Sequence, residues 1–237
     1  MSDVTTEMQQ EIINYFTSRN WQRYDDIRYD HLNADERAIL ETAVSTCKEF
    51  NEQLKAGETP SLLLIASGVK DDSIRTGYGC GKTMLAKAIH YQNSHTIAPE
   101  NGKLEHIKQN GTFYAARDLM AIFDDVKDLS QLRYKLGQLR RTIIIDDLGR
   151  EGTLRWERRD PNIQLAEKQD RYYSIINYCY ENDIGVVITS NLSSREMATF
   201  LGGATWSRLL EMVPKKYRIN MTGIRDMRPM LADDGEF

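Results

Sequence analysis

The chain is poor in cysteine, in long apolar stretches and in any excess of one charge, and each shortage excludes something. Its 237 residues hold three cysteines, Cys47, Cys80 and Cys179, odd in number and widely separated. They form no C-x-x-C pair, so neither a zinc site nor a disulfide framework is indicated, and reduced thiols are expected. No run approaches the ~18 apolar residues of a membrane span, and the polar stretch from Met1 to Gln10 lacks a signal-peptide core. A cytoplasmic protein without a membrane partner is therefore expected. The net charge of −4 argues against indiscriminate nucleic-acid binding while leaving room for a local basic stripe. No internal repeat, low-complexity tract or long linker is visible. At 41% hydrophobic and 28% charged, the composition suits one large α/β domain with a small accessory element.

What is present is an alternation of two periodicities. Met8, Ile12, Tyr15 and Phe16 sit at helical spacing, and Asn33 to Lys55 reads as a second, longer helix ended by the AGETP segment. Residues 61–67 (SLLLIAS), 142–146 (TIIID) and 185–189 (GVVIT) are short continuous apolar runs, as buried parallel strands should be. Shorter strands are expected at 112–115 and 217–221. Helical patterns lie between them at 84–89, 118–123, 132–141 and 162–182. Two short helices are expected after residue 189, the first capped by Ser194. Strands alternating with helices indicate a doubly wound parallel sheet, whose ligand sits at the carboxyl ends of the strands.

The glycine-rich loop Thr76-Gly77-Tyr78-Gly79-Cys80-Gly81-Lys82-Thr83 lies at such an end. Glycines let successive backbone N–H groups turn toward a polyphosphate, a lysine reaches the β- and γ-phosphates, and a hydroxyl residue holds Mg²⁺. Gly77, Gly79, Cys80, Gly81, Lys82, Thr83 and Met84 are thus the expected ATP contacts. Thr76 replaces the first glycine of the usual pattern, and residues 68–75 read as an insertion. Downstream, Asp146 and Asp147 end an apolar strand. Either they cap the next turn, or Asp146 joins Thr83 on the metal while Asp147 polarises the attacking water. Asn191, just past the next strand, either closes an Asx turn or senses the γ-phosphate. Arg208 is a surface ion-pair partner or a finger offered to a neighbouring subunit's ATP. Arg225 and Arg228 could reach the γ-phosphate in cis.

From Arg23 to Arg228 this order of elements resembles the AAA+ ATPases, specifically the DnaC/IstB-like branch. The segments IIIDDLG (143–149), ITSNL (188–192) and SRLLE (207–211) carry the resemblance. It implies a five-stranded parallel sheet flanked by helices, with a minimal C-terminal lid. It assigns the Walker B acids to 146 and 147, sensor 1 to Asn191, the finger to Arg208 and the C-terminal arginine to Arg228. It makes RYDDIRYD (23–30) a lead-in beside the adenine, with Tyr24 and Ile27 as pocket candidates or plain core. The helix over 117–125 matches an extra helix that faces DNA in this branch.

The implied organisation is an amphipathic helix over 1–20 that docks a partner or its own core, a helical lead-in over 21–60 and an ATPase core over 61–237. The implied function is an oligomeric ring or spiral that hydrolyses ATP and loads a replicative helicase onto DNA. The alternative client is a transposase. DNA contacts are expected from Arg133, Lys135, Arg140 and Arg141, or from Arg150, Arg155, Arg158 and Arg159 with Trp156 as a stacking ring. Both clusters also fit a solvated charged face. A small-molecule kinase fits less well, since no arginine-rich lid is visible. An aspartate at 147 is compatible with slow turnover.

Overall fold

The apolar runs form the sheet. The structure, a computed structural model, describes residues 23–68, 70–71, 74–75, 77–93, 111–124, 131, 134, 141–150 and 160–228. The first long element is α1 (Ala34–Lys55), followed by β1 (Leu62–Ile65) and a small hairpin of β2 (Lys70–Asp71) and β3 (Ile74–Arg75). Next come α2 (Lys82–Asn93), β4 (Gly111–Ala115), α3 (Ala116–Asp124) and β5 (Thr142–Leu148). The chain continues through α4 (Pro161–Glu181), β6 (Gly185–Ser190), α5 (Ser194–Leu201), α6 (Gly203–Met212) and β7 (Arg218–Asn220).

Five strands pair in the order β4-β5-β6-β1-β7, every pair parallel. The inner strands β1, β5 and β6 are buried almost throughout, which is why their sequences are apolar without alternation. From β1 the chain crosses β6 and β5 to reach β4, so the carboxyl end of β1 is a topological switch point. Doubly wound parallel topology is therefore observed, with five strands.

Helix α1 begins where its chemistry says it should. Asn33 accepts the Glu36 N–H at 2.9 Å, and the Glu36 carboxylate accepts the Asn33 N–H at 3.0 Å. This reciprocal cap satisfies two otherwise orphaned donors. Leu40, Ala43, Val44, Cys47 and Phe50 line its inner face and join one apolar core with the sheet. Phe50 meets Tyr217 edge-on, with ring centroids 5.4 Å apart.

One expectation is corrected. Ser193, not Ser194, caps α5, because Glu196 stands three residues after it and closes the reciprocal pair. Within 68–75, read as an insertion, Lys70–Asp71 and Ile74–Arg75 pair as an antiparallel hairpin. The helix expected at 8–16 lies outside the described residues, as does most of 132–141. Among the described residues no helix is long and apolar enough to cross a membrane.

Candidate nucleotide-binding site

Gly77, Gly79 and Gly81 all have positive φ, at 86°, 64° and 94°. A side chain at Gly77 would place its Cβ 2.8 Å from the carbonyl oxygens of Ala66 and Ser67. One at Gly79 would run into the Asp226 carboxylate. At Gly77 glycine is thus required by both conformation and space, and at Gly79 and Gly81 it is favoured by conformation. The loop leads directly into α2, whose first residue is Lys82. An exposed helix N-terminus presents N–H groups to an anion. Lys82 is buried and donates from Nζ to the Gly77 carbonyl at 2.7 Å. Its Nζ also lies 3.4 Å from Cys80 Sγ, a fully buried sulfur. Thr76 lies outside the described residues.

The acids sit on an irregularity of the sheet. Ile145 pairs with Ile188, and Leu148 pairs with Ser190. Asp146 and Asp147 therefore stand opposite the single residue Thr189, a β-bulge. Thr189 holds the bulge together. Its hydroxyl donates to Asp146 Oδ1 at 2.6 Å and accepts the Asp147 N–H at 2.9 Å. Asp147 has φ 59°, a left-handed conformation that this bond helps to fix. Across the loop, Thr83 Oγ1 lies 3.0 Å from both oxygens of Asp146. Burial raises the Asp146 carboxyl above its ordinary value, Asp147 adds to the rise, and the hydroxyl bonds from Thr189 and Thr83 oppose it. A hydroxyl and a carboxylate at this separation form the hard-oxygen pair that Mg²⁺ takes, so the residues fit that ion.

The C-terminal segment lies across the loop. Gly77 donates to the Ile224 carbonyl at 3.3 Å, and Met227 donates to the Gly79 carbonyl at 3.2 Å. Arg225 is turned away toward α1, bonding Glu36 through Nε at 2.7 Å. Arg228 stays beside the loop, paired with Asp226 at 2.9 and 2.5 Å. Asn191 is half-buried and follows β6 by one residue.

No protein-family model and no curated protein matches the chain. Solved structures do. A DnaC helicase loader superposes with a TM-score of 0.52 at 22% identity, covering 84% of this chain and 95% of that one. DnaI gives 0.54 at 18%, covering 86% and 90%. The replication initiator DnaA, bound to AMPPCP and single-stranded DNA, gives 0.51 at 14%, covering 84% and 49%. The chain shares the fold of these replication proteins, a five-stranded parallel sheet flanked by helices.

Within that fold, the remaining candidates sit on different elements. Arg208 on α6 bonds Asn177 and lies over the rings of Tyr173 and Tyr180, 4.9 and 6.0 Å from their centroids, all three on α4. Tyr24 packs in the core. It is buried, and its hydroxyl accepts from Asn51 at 2.8 Å. The loop approaches α1 near Leu40, eleven residues earlier, which is about 16 Å along a helix. Ile27 is buried in the same core cluster.

Of the basic clusters, Arg141 is exposed beside β5. Arg150 stands over the Tyr78 ring at 5.2 Å and 3.9 Å from Asp147, so it belongs to the mouth of the loop. Arg133, Lys135, Arg140, Arg155, Trp156, Arg158 and Arg159 lie outside the described residues. Sequence reading passed over Thr189, Glu36 and Asp226. A hydroxyl residue ending an otherwise apolar strand beside an acid pair was the available signal for the first.

Proposed function

We propose that the chain is a DNA-dependent ATP hydrolase that assembles with copies of itself around ATP and loads a replicative helicase onto DNA. The observation that carries this reading is the contact of Thr83, Asp146 and Thr189 beside a loop that only glycine can form. In it, Lys82 leaves the Gly77 carbonyl for the β- and γ-phosphates. Thr83 and Asp146 hold magnesium, which neutralises phosphate charge when bound. Asp147 takes a proton from the attacking water, and Asn191 orients that water. Arg228 reaches the γ-phosphate from the same chain.

Arg208 has a different place. Its contacts are with α4 of its own chain, and in this reading it meets the phosphate of a neighbouring subunit. Likeness to a helicase loader and to an initiator bound to single-stranded DNA supports replication as the setting and a helicase as the client.

The test measures ATP turnover, particle size and helicase capture, each with and without single-stranded DNA. DNA-stimulated turnover, ATP-dependent assembly and ATP-dependent capture of the helicase are expected. Capture of a transposase instead would change the client, and absence of turnover in every condition would sink the hydrolase reading.

A further inference from the structure

The two arginines of the C-terminal segment are fastened differently. Arg225 is anchored, since the Glu36 carboxylate that receives it is only 7% exposed and is itself tied into the cap of α1. The segment is then pinned to the glycine loop by the Gly77–Ile224 and Met227–Gly79 backbone bonds. Beyond these fixed points, Arg228 is 64% exposed. Asp226, two residues back, holds its guanidinium with both carboxylate oxygens. That same carboxylate lies against Gly79, in the space a side chain there would need. Asp226 is therefore an internal anion at the edge of a phosphate-binding loop, already occupying the arginine best placed to meet a phosphate.

We propose that Asp226 competes with the terminal phosphate of a bound nucleoside triphosphate for Arg228, and so sets how far the site prefers a triphosphate to a diphosphate. The proposal rests on the nucleotide-site reading above. Asp226 takes Nε and Nη2, one edge of the planar guanidinium fork, so a phosphate that meets Arg228 bidentately through that edge must displace it. A diphosphate brings no terminal group to compete and leaves the Asp226–Arg228 pair intact. Asp226 is in this sense a specificity-determining residue that acts through Arg228 rather than on the nucleotide itself.

The experiment measures dissociation constants of the full chain, with Mg²⁺, for a non-hydrolysable triphosphate and for ADP. Asp226→Asn is expected to tighten the triphosphate about two- to five-fold, the worth of an exposed ion pair, and to leave ADP unchanged. In an Arg228→Ala background the same change should do nothing. Equal tightening of both nucleotides, or a gain that survives in the Arg228→Ala background, would mean simple charge repulsion and overturn the proposal. Asp226→Ser, compared by thermal melting, keeps the test open if the asparagine variant misfolds. If the wild type binds neither nucleotide, the site reading fails first and takes the proposal with it.

Discussion

At the tips of β1, β5 and β6, Thr83, Asp146 and Thr189 meet within hydrogen-bonding distance in one chain. On the outer face of α4, Arg208 sits between two half-exposed tyrosines, each 40% accessible, and is held by side chains of that helix. The first region brings its polar groups together within one chain. The second presents a cation on a surface, oriented by its own chain, and in the proposed function its target is on a neighbouring subunit. Changes in the first should act on a single subunit, and changes in the second only on an assembly.

The largest effect should come from Lys82→Ala. Loss of the cation at the phosphates should cut turnover about 10²-fold or more, measured as phosphate release from dilute subunits. Asp146→Asn should remove Mg²⁺-dependent binding, about 10- to 100-fold in metal affinity. Its pH behaviour sharpens the point. Burial holds this carboxyl protonated to higher pH than an ordinary aspartate, so wild-type Mg²⁺ affinity should climb as pH rises through that shifted range, while the asparagine variant stays flat. In the folded protein without metal the sign reverses: a raised carboxyl favours the native state at low pH, and that contribution fades as pH rises.

A smaller effect is expected for Thr189→Val, which leaves the Asp147 N–H without its partner. A loss of about 1–3 kcal/mol in unfolding free energy should accompany slower turnover. Thr189→Ser, which keeps the hydroxyl, should restore most of both. Arg208→Ala should be the mildest in isolation. Nucleotide affinity of the dilute subunit should be unchanged, and stability should fall by no more than about 1 kcal/mol from the lost ring contact. Turnover should collapse only on assembly, and mixing with Lys82→Ala subunits should recover part of it. A defect already present in the dilute subunit would erase the distinction between the two regions.

The parts legible in the sequence were those that periodicity and short motifs can carry. Buried strands announce themselves as apolar runs, and a glycine loop followed by Lys82 and Thr83 has few other uses. The bulge was not legible, because one extra residue in a seven-residue strand leaves its composition unchanged. Nor was the hairpin within 68–75, whose strands are too short to show alternation. Tyr24 could be read as pocket or as core because an aromatic side chain records that it will be buried, not against what. That Arg225 is held by Glu36, nearly two hundred residues earlier in the chain, was not legible either.

The bulge in β5 also fixes how the chain must be counted. In a regular strand consecutive side chains go to opposite faces. Here two carboxylates share one step of the ladder, and the strand returns to phase at Leu148. Removing a single residue at 146 or 147 would do more than delete an acid. It would make the strand regular, with one acid opposite Thr189 and Leu148 still opposite Ser190, and would remove the left-handed turn now found at Asp147. The extra residue is therefore what lets two carboxylates occupy one step of the ladder, and a one-residue deletion there should keep the sheet in register while abolishing the paired acids.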